Sequence, residues 1–151
     1  MTYQHTQHGR IHYLLAPFGA GAIVGSVLLL DRGEPYPAVA VGLVGLLMLV
    51  AALSFARLSV REEGDRLAVR FGPIGLARTS VRYGAIRSFR RGRSSLVDGL
   101  GIHWLPGRGW IWNLSGFDCV ELEVEGRGRL RIGTDDPDGL VRHLEERVGG
   151  T

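Results

Sequence analysis

Two apolar runs decide how this chain is read: Ile11-His-Tyr-Leu-Leu-Ala-Pro-Phe-Gly-Ala-Gly-Ala-Ile-Val-Gly-Ser-Val-Leu-Leu-Leu30 and Pro37-Ala-Val-Ala-Val-Gly-Leu-Val-Gly-Leu-Leu-Met-Leu-Val-Ala-Ala-Leu-Ser-Phe55. Neither contains Arg, Lys, Asp or Glu. A helix rises about 1.5 Å per residue, so a run of this length spans roughly 30 Å, the hydrocarbon thickness of a bilayer. Backbone polar groups in lipid must be satisfied locally, which makes each run a helix. The polar stretch between them, Asp31-Arg32-Gly33-Glu34-Pro35-Tyr36, suits a tight connection among headgroups. The expectation is a transmembrane hairpin over residues 11–56, with spans at about 11–30 and 37–55. A cleaved signal peptide fits poorly, because the first apolar stretch is too long and a second follows at once. Two buried helices of a soluble protein fit poorly too, because the rest of the chain is too small to cover both all round.

Within the spans, Gly19-Ala-Gly21-Ala-Ile-Val-Gly25 has the look of a dinucleotide loop, but the preceding strand and following amphipathic helix are missing. Gly21 and Gly25 lie one turn apart, and Ala38 and Gly42 offer a similar groove on the second span. Such small residues let helices approach closely, between the two spans or in a homo-oligomer. No charge lies inside either span, so no ion pathway is indicated. Arg10 precedes the first span and Arg57 and Arg61 follow the second, against Arg32 alone in the loop. The positive-inside rule then puts both termini in the cytoplasm.

Outward from the hairpin, residues 1–10 are polar, without apolar periodicity, and read as a frayed N-terminal tail. His5 and His8 lack a carboxylate or Cys companion and do not make a metal site. Residues 57–151 form one soluble domain with a modest core. All 18 basic residues are Arg, against 15 acids, for a net charge of +3. The single Cys119 excludes an internal disulfide.

After Phe55 the period changes to alternation. Leu58 and Val60, then Leu67, Val69 and Phe71, alternate with polar residues around the turn Glu62-Glu63-Gly64-Asp65. Gly72-Pro73-Ile74-Gly75 is another turn, and Arg78–Tyr83 and Ile86–Arg90 read as further strands. The segment Gly99–Phe117 holds all three tryptophans, on expected strands Gly101–Leu105 and Trp110–Leu114. Trp104 and Trp110, with His103, could line an aromatic pocket; core packing is the plainer use of these residues. In the last hairpin a loop from Gly126 to Gly128 sets Val124 opposite Leu130, with Glu125 meeting Arg129 and Glu123 meeting Arg131. Asp136-Pro137 starts an amphipathic helix over about 137–148, ended by Gly149-Gly150. The fold class is thus a membrane α-hairpin, then a mainly β barrel or sandwich of about seven strands closed by one C-terminal α-helix.

Leu58-Ser-Val60, Ile86-Arg-Ser88, Gly99-Leu-Gly-Ile-His103, Asn113-Leu-Ser-Gly116, Val120-Glu-Leu-Glu-Val124 and Ile132-Gly-Thr-Asp-Asp-Pro137 together resemble the bacterial PH-like (pleckstrin-homology-like) family of small membrane proteins with a transmembrane hairpin. The resemblance covers nearly all of residues 57–148. It implies a PH-like fold and a bacterial inner-membrane address. In eukaryotic lipid-binding PH domains a basic loop between the first two strands holds phosphate. Here that loop is the acidic Glu62-Glu63-Gly64-Asp65, which argues against that site.

No nucleophile–base pair, P-loop, HExxH or CxxC occurs, so no catalytic residue, cofactor or metal is expected. Charge is polarised along the chain. Eight Arg and no acid lie between Arg66 and Val97; ten acids and six Arg follow from Asp98. Arg87, Arg90, Arg91 and Arg93 are the densest group. The expected function is a membrane-anchored, non-enzymatic module that recruits a protein partner. The alternative is anionic-lipid binding by that Arg group, where each basic residue near a membrane adds about 1 kcal/mol. Nucleic acid is not an expected partner, for want of a recognised motif.

Overall fold

A computed structural model of the chain describes residues 2–73, 75, 77–94 and 101–149. Ile74 of the second turn, Gly99 and Leu100 of the Trp-containing segment, and Gly150 of the terminal pair lie outside the described residues. Strand β1 (Gln4–His8) leads into helices α1 (His12–Asp31) and α2 (Pro35–Ser54). Strands β2 (Arg57–Glu63), β3 (Arg66–Phe71), β4 (Ala77–Arg82), β5 (Ile86–Arg93), β6 (Gly101–Leu105), β7 (Gly109–Asn113), β8 (Asp118–Val124) and β9 (Gly128–Gly133) follow, and α3 (Pro137–Val148) ends the fold. The strands form a four-stranded sheet, β1-β2-β3-β4, and a five-stranded sheet, β5-β8-β9-β7-β6. All neighbours are antiparallel except β7 and β9.

α1 and α2 are long and apolar enough to cross a membrane, by length and composition. Only 6% and 17% of their apolar windows are buried, so neither behaves as the core helix of a soluble protein. The connection is shorter than the polar stretch suggests. Pro35, favoured at the first helical position, already starts α2, and Gly33 takes a left-handed φ of 77° after α1.

The packing face of the two helices also differs from the one expected. Gly19 fits against Leu49 and Gly45, while Gly42 fits against Ser26, whose hydroxyl donates to the Ala38 carbonyl at 2.7 Å. Ala38 is fully buried and Gly25 lies near Val41, but a side chain at Gly21 would meet nothing within 4 Å. Two residues turn a helix by about 200°, so Gly19 and Gly21 cannot share a face. Gly21 therefore does not pack the two helices together.

Residues 4–9 are not a loose tail. Gln4–His8 pairs with the whole of Arg57–Arg61, and Gly9 N donates to Ala56 O at 3.0 Å. Any side chain at Gly9 would collide with the Phe55 carbonyl and with Leu114. The helical hairpin thus leaves and re-enters the domain between two adjacent strands. Among the described residues there are nine strands rather than about seven, and the first comes from before the hairpin.

The inner faces of both sheets share one core: Leu58, Val60, Leu67, Val69 and Phe71 from the first, with Trp112, Val120, Leu122, Leu130 and Ile132 from the second, closed by Leu140 and Leu144 of α3. Phe55, the C-cap of α2, stands edge-on to Phe71, with ring centroids 6.0 Å apart. At the start of α3, the Asp136 carboxylate accepts from Gly139 N at 3.0 Å, and Pro137 takes the first helical position.

The last hairpin corrects the expected register. Leu122 stands opposite Leu130, Glu123 opposite Arg129, and Val124 opposite Gly128. The loop is Glu125–Arg127, with Arg127 N donating to Val124 O at 3.2 Å. Gly126, with φ 71°, occupies the third turn position, where a type II turn needs a positive φ. The slip is two residues, so every side chain keeps its face and only the partners change.

Candidate functional site

The Arg-rich stretches of the sequence fall on two different sheets. On the outer face of the second sheet, β5 runs beside β8. Arg87 donates to Glu125 at 2.7 Å, and Arg90 donates to Glu121 through Nε at 2.9 Å and Nη2 at 2.7 Å. These bonds raise the pKa of both guanidinium groups. Arg91, opposite the core residue Val120 and so on the other face of β5, makes a two-pronged contact with Asp138 at the start of α3, at 2.9 and 3.1 Å, and lies 3.6 Å from Asp118. Arg93 stands opposite Asp118 in the ladder. Glu121 also pairs with Arg131 at 2.7 Å, with both side chains nearly buried at 11% and 12% exposure. Arg87, Arg90, Arg91 and Arg93 are therefore not an uncompensated basic face. The separation of charge along the chain disappears once β5 pairs with the acidic strand β8.

The outer face of the first sheet is different. Opposite residues in β3 and β4 are Arg66 with Arg82, Ala68 with Ser80, and Arg70 with Arg78. Like charges directly opposite in an antiparallel pair destabilise it. Some compensation comes from the β2–β3 hairpin: Arg70 donates to Glu63 at 2.5 Å, and Asp65 lies 3.2 Å from Arg66 and 3.9 Å from Arg82. The Asp65 carboxyl is held below the usual range, chiefly by its hydrogen bond from Arg66. Arg57 donates to the Pro73 carbonyl at 3.1 Å. A depression of about 370 Å³ sits on this face, over Ala68 and Ser80 and between the Arg pairs. The sequence carried the signal in the alternation Arg66/Ala68/Arg70 and Arg78/Ser80/Arg82, but the facing of Arg against Arg needed the register.

The expected aromatic pocket does not form. Trp104 stands opposite Trp110, while His103 stands opposite Ile111 on the other face of the hairpin. Trp112 is core, 5.8 Å from Phe71 between ring centroids. Trp104 and Trp110 continue that face outward until it is exposed, to 56% and 39%.

A third polar cluster was not foreseen. His143 of α3 is buried, with Nε2 2.8 Å from the Tyr83 hydroxyl and 3.8 Å from Glu62. Tyr3 stacks on its ring at 5.0 Å, and Tyr3 N donates to Glu62 at 3.2 Å. Arg147 pairs with the same carboxylate, and His5 reaches Asp135 at 2.5 Å. Burial lowers the His143 pKa, with Glu62 opposing. Burial likewise pushes the Tyr83 hydroxyl up to about 12 and raises that of Tyr3. This cluster fastens β1 and α3 to β2, as a structural seam. Among the described residues no group of three or more His, Cys, Asp or Glu could hold a metal ion.

Comparison of the chain with protein-family models, with curated proteins and with solved structures returns no match.

Proposed function

We propose that this chain is a membrane-anchored, non-enzymatic interaction module of the bacterial PH-like kind, whose β domain recruits a protein partner at the cytoplasmic face. The observation that carries this reading is where large apolar side chains meet solvent. Among the described residues they lie between Ile11 and Leu53, and elsewhere only at Trp104, Trp110 and Phe117.

The first group asks for lipid. Phe18 and Leu47 are 63% and 68% exposed, and an apolar surface of this extent is not stable in water. The β core is complete without these side chains. Two crossings return the chain to the side it left, which suits the pairing of β1 with β2, and the Arg balance favours the cytoplasmic side. Two sheets around one core with a C-terminal helix support the PH-like reading. The second group is the kind of side chain that anchors protein interfaces, in which Trp is enriched. Anionic-lipid binding by Arg87, Arg90, Arg91 and Arg93 has less support, because carboxylates already meet these side chains.

The test is a photo-crosslinking amino acid at position 104 in the membrane-embedded full chain. A discrete protein adduct, lost on Trp110→Ala, is expected. Adducts to lipid alone, or no adduct, would overturn partner recruitment at this face. Release of the chain from membranes by alkaline carbonate would overturn the anchor.

A further inference from the structure

We propose that the outer face of β3 and β4 is a binding cradle for a phosphate group, formed by Arg66, Arg70 and Arg78, with Arg82 beside them, around a floor of Ala68 and Ser80. The site does not depend on the protein-partner reading and uses none of the β5 arginines.

The register places two Arg pairs on either side of the small Ala68–Ser80 pair. Strand rise is about 3.3 Å per residue, so the two Arg rows stand roughly 13 Å apart at the backbone. Guanidinium groups reaching inward from both rows can close on one anion. The depression between them, about 370 Å³, is lined by Arg66, Arg70, Arg78, Thr79 and Ser80, with Glu63 at its rim. Two acids, Glu63 and Asp65, meet three of the four guanidinium groups, and Arg78 forms no ion pair with any described residue.

A second depression points the same way. Arg57, Arg61 and Arg70, with Ser59, line a smaller hollow of about 70 Å³ beside the first. The Arg70 side chain is 41% exposed. An oxyanion bound by such exposed guanidinium ends would relieve the repulsion between facing arginines. The planar, forked guanidinium suits phosphate oxygens better than a single carboxylate does when several forks converge.

The source of the phosphate is a lipid headgroup or a free phosphate, and position bears on the choice. Arg57 comes two residues after the C-cap of α2, and the loop after β3 touches the end of that helix, with Gly72 against Leu53 and Ser54. The lower Arg row therefore lies beside the helical hairpin.

The experiment follows thermal unfolding of the full chain in detergent as inorganic phosphate replaces chloride at constant ionic strength. A ligand that binds only the folded state raises the unfolding midpoint in proportion to its occupancy. The expected result is a phosphate-dependent rise, weakened by about 10- to 100-fold in apparent affinity for each bidentate guanidinium removed, as in Arg70→Gln or Arg78→Gln. Ser80→Asp, which puts a carboxylate on the floor, should abolish the rise and checks the result with an independent variant. Arg87→Gln on the other face should leave the rise unchanged. No rise over chloride in the wild type, or a rise that survives both Arg70→Gln with Arg78→Gln and Ser80→Asp, would overturn the site. In nanodiscs, loss of the phosphate response with phosphatidylglycerol but not with phosphatidylcholine identifies an anionic headgroup as the occupant. A response retained in both identifies free phosphate.

Discussion

The two sheets carry the same kind of side chain on their outer faces and arrange it in opposite ways. On the second sheet arginine meets carboxylate: Arg87 with Glu125, and Arg90 and Arg131 with Glu121. On the first sheet arginine stands opposite arginine, in the pairs Arg66–Arg82 and Arg70–Arg78. The first pattern holds strands together and leaves little field outside. The second weakens its own strand pairing and leaves positive charge for something else to neutralise. Basic content along a sequence therefore says little about a binding face until the partner across the ladder is known.

The difference should be largest where pairing is least exposed. Arg131→Ala leaves the nearly buried Glu121 with only the exposed Arg90, and should destabilise the fold by about 3 kcal/mol, read from denaturant midpoints. A loss of a few tenths would mean that the paired face is held by packing rather than by its ions.

Mild acid should reach the seam of Tyr3, Glu62, Tyr83 and His143 before it touches either face. The His143 pKa is lowered from its ordinary 6.5 by burial. The unfolded chain therefore takes up the proton first. Stability is fully present above pH 6.5 and is lost as pH falls from there through the lowered native value. His143→Gln should flatten that part of the stability–pH curve; an unchanged slope would place the acid sensitivity elsewhere. Within this window Asp65, whose pKa lies below the usual carboxylate range, stays ionised.

Exchanging the patterns gives a smaller and more direct test. Arg78→Glu makes the β3–β4 pair resemble β5–β8 and should stabilise the fold in phosphate-free buffer by a few tenths to about 1 kcal/mol. Arg90→Glu should do the reverse, by setting a second carboxylate beside Glu121. If both substitutions destabilise, the arginines of the first sheet contribute packing that outweighs their repulsion. Raising salt to about 1 M shortens the screening length to about 3 Å and should shrink the gain from Arg78→Glu.

Asp65→Asn should have the smallest effect, a loss at neutral pH from the unrelieved Arg66–Arg82 pair. In the wild type that contribution is present above the ordinary carboxyl value of 3.8 and disappears as pH falls through the lowered native pKa. The two proteins should therefore converge in stability in strong acid, as followed by thermal melts.

How much was legible varies by element. α1 and α2 could be placed within a few residues because uniform apolarity over such a length has few physical outcomes. The inner positions of β2, β3, β8 and β9 followed from strict alternation, and α3 from its Asp136-Pro137 cap and helical spacing. β1 gave no such signal. Its inward side chains, His5 and Gln7, are polar: His5 meets Asp135, and Gln7 Nε2 donates to the Ser115 carbonyl. Periodicity in hydrophobicity cannot detect a strand that is buried through hydrogen bonds. The candidate site suffered in the same way. The densest Arg cluster in the sequence is neutralised, while Arg66, Arg70, Arg78 and Arg82, part of the same acid-free stretch, form a face only through their pairing.

Which segments are apolar, which alternate and which break depends on side chains a few residues apart, and can be read along the chain. The helical hairpin, most strands and the C-terminal helix follow from such local patterns. Tertiary structure alone decided that residues 4–8 complete the first sheet across the hairpin, that Gly19 and Gly45 rather than Gly21 join the helices, and that acidic β8 lies against basic β5. Those outcomes depend on contacts between residues tens of positions apart. The energy of a charge is set by its neighbour in space, and in this chain that neighbour is seldom the neighbour in sequence.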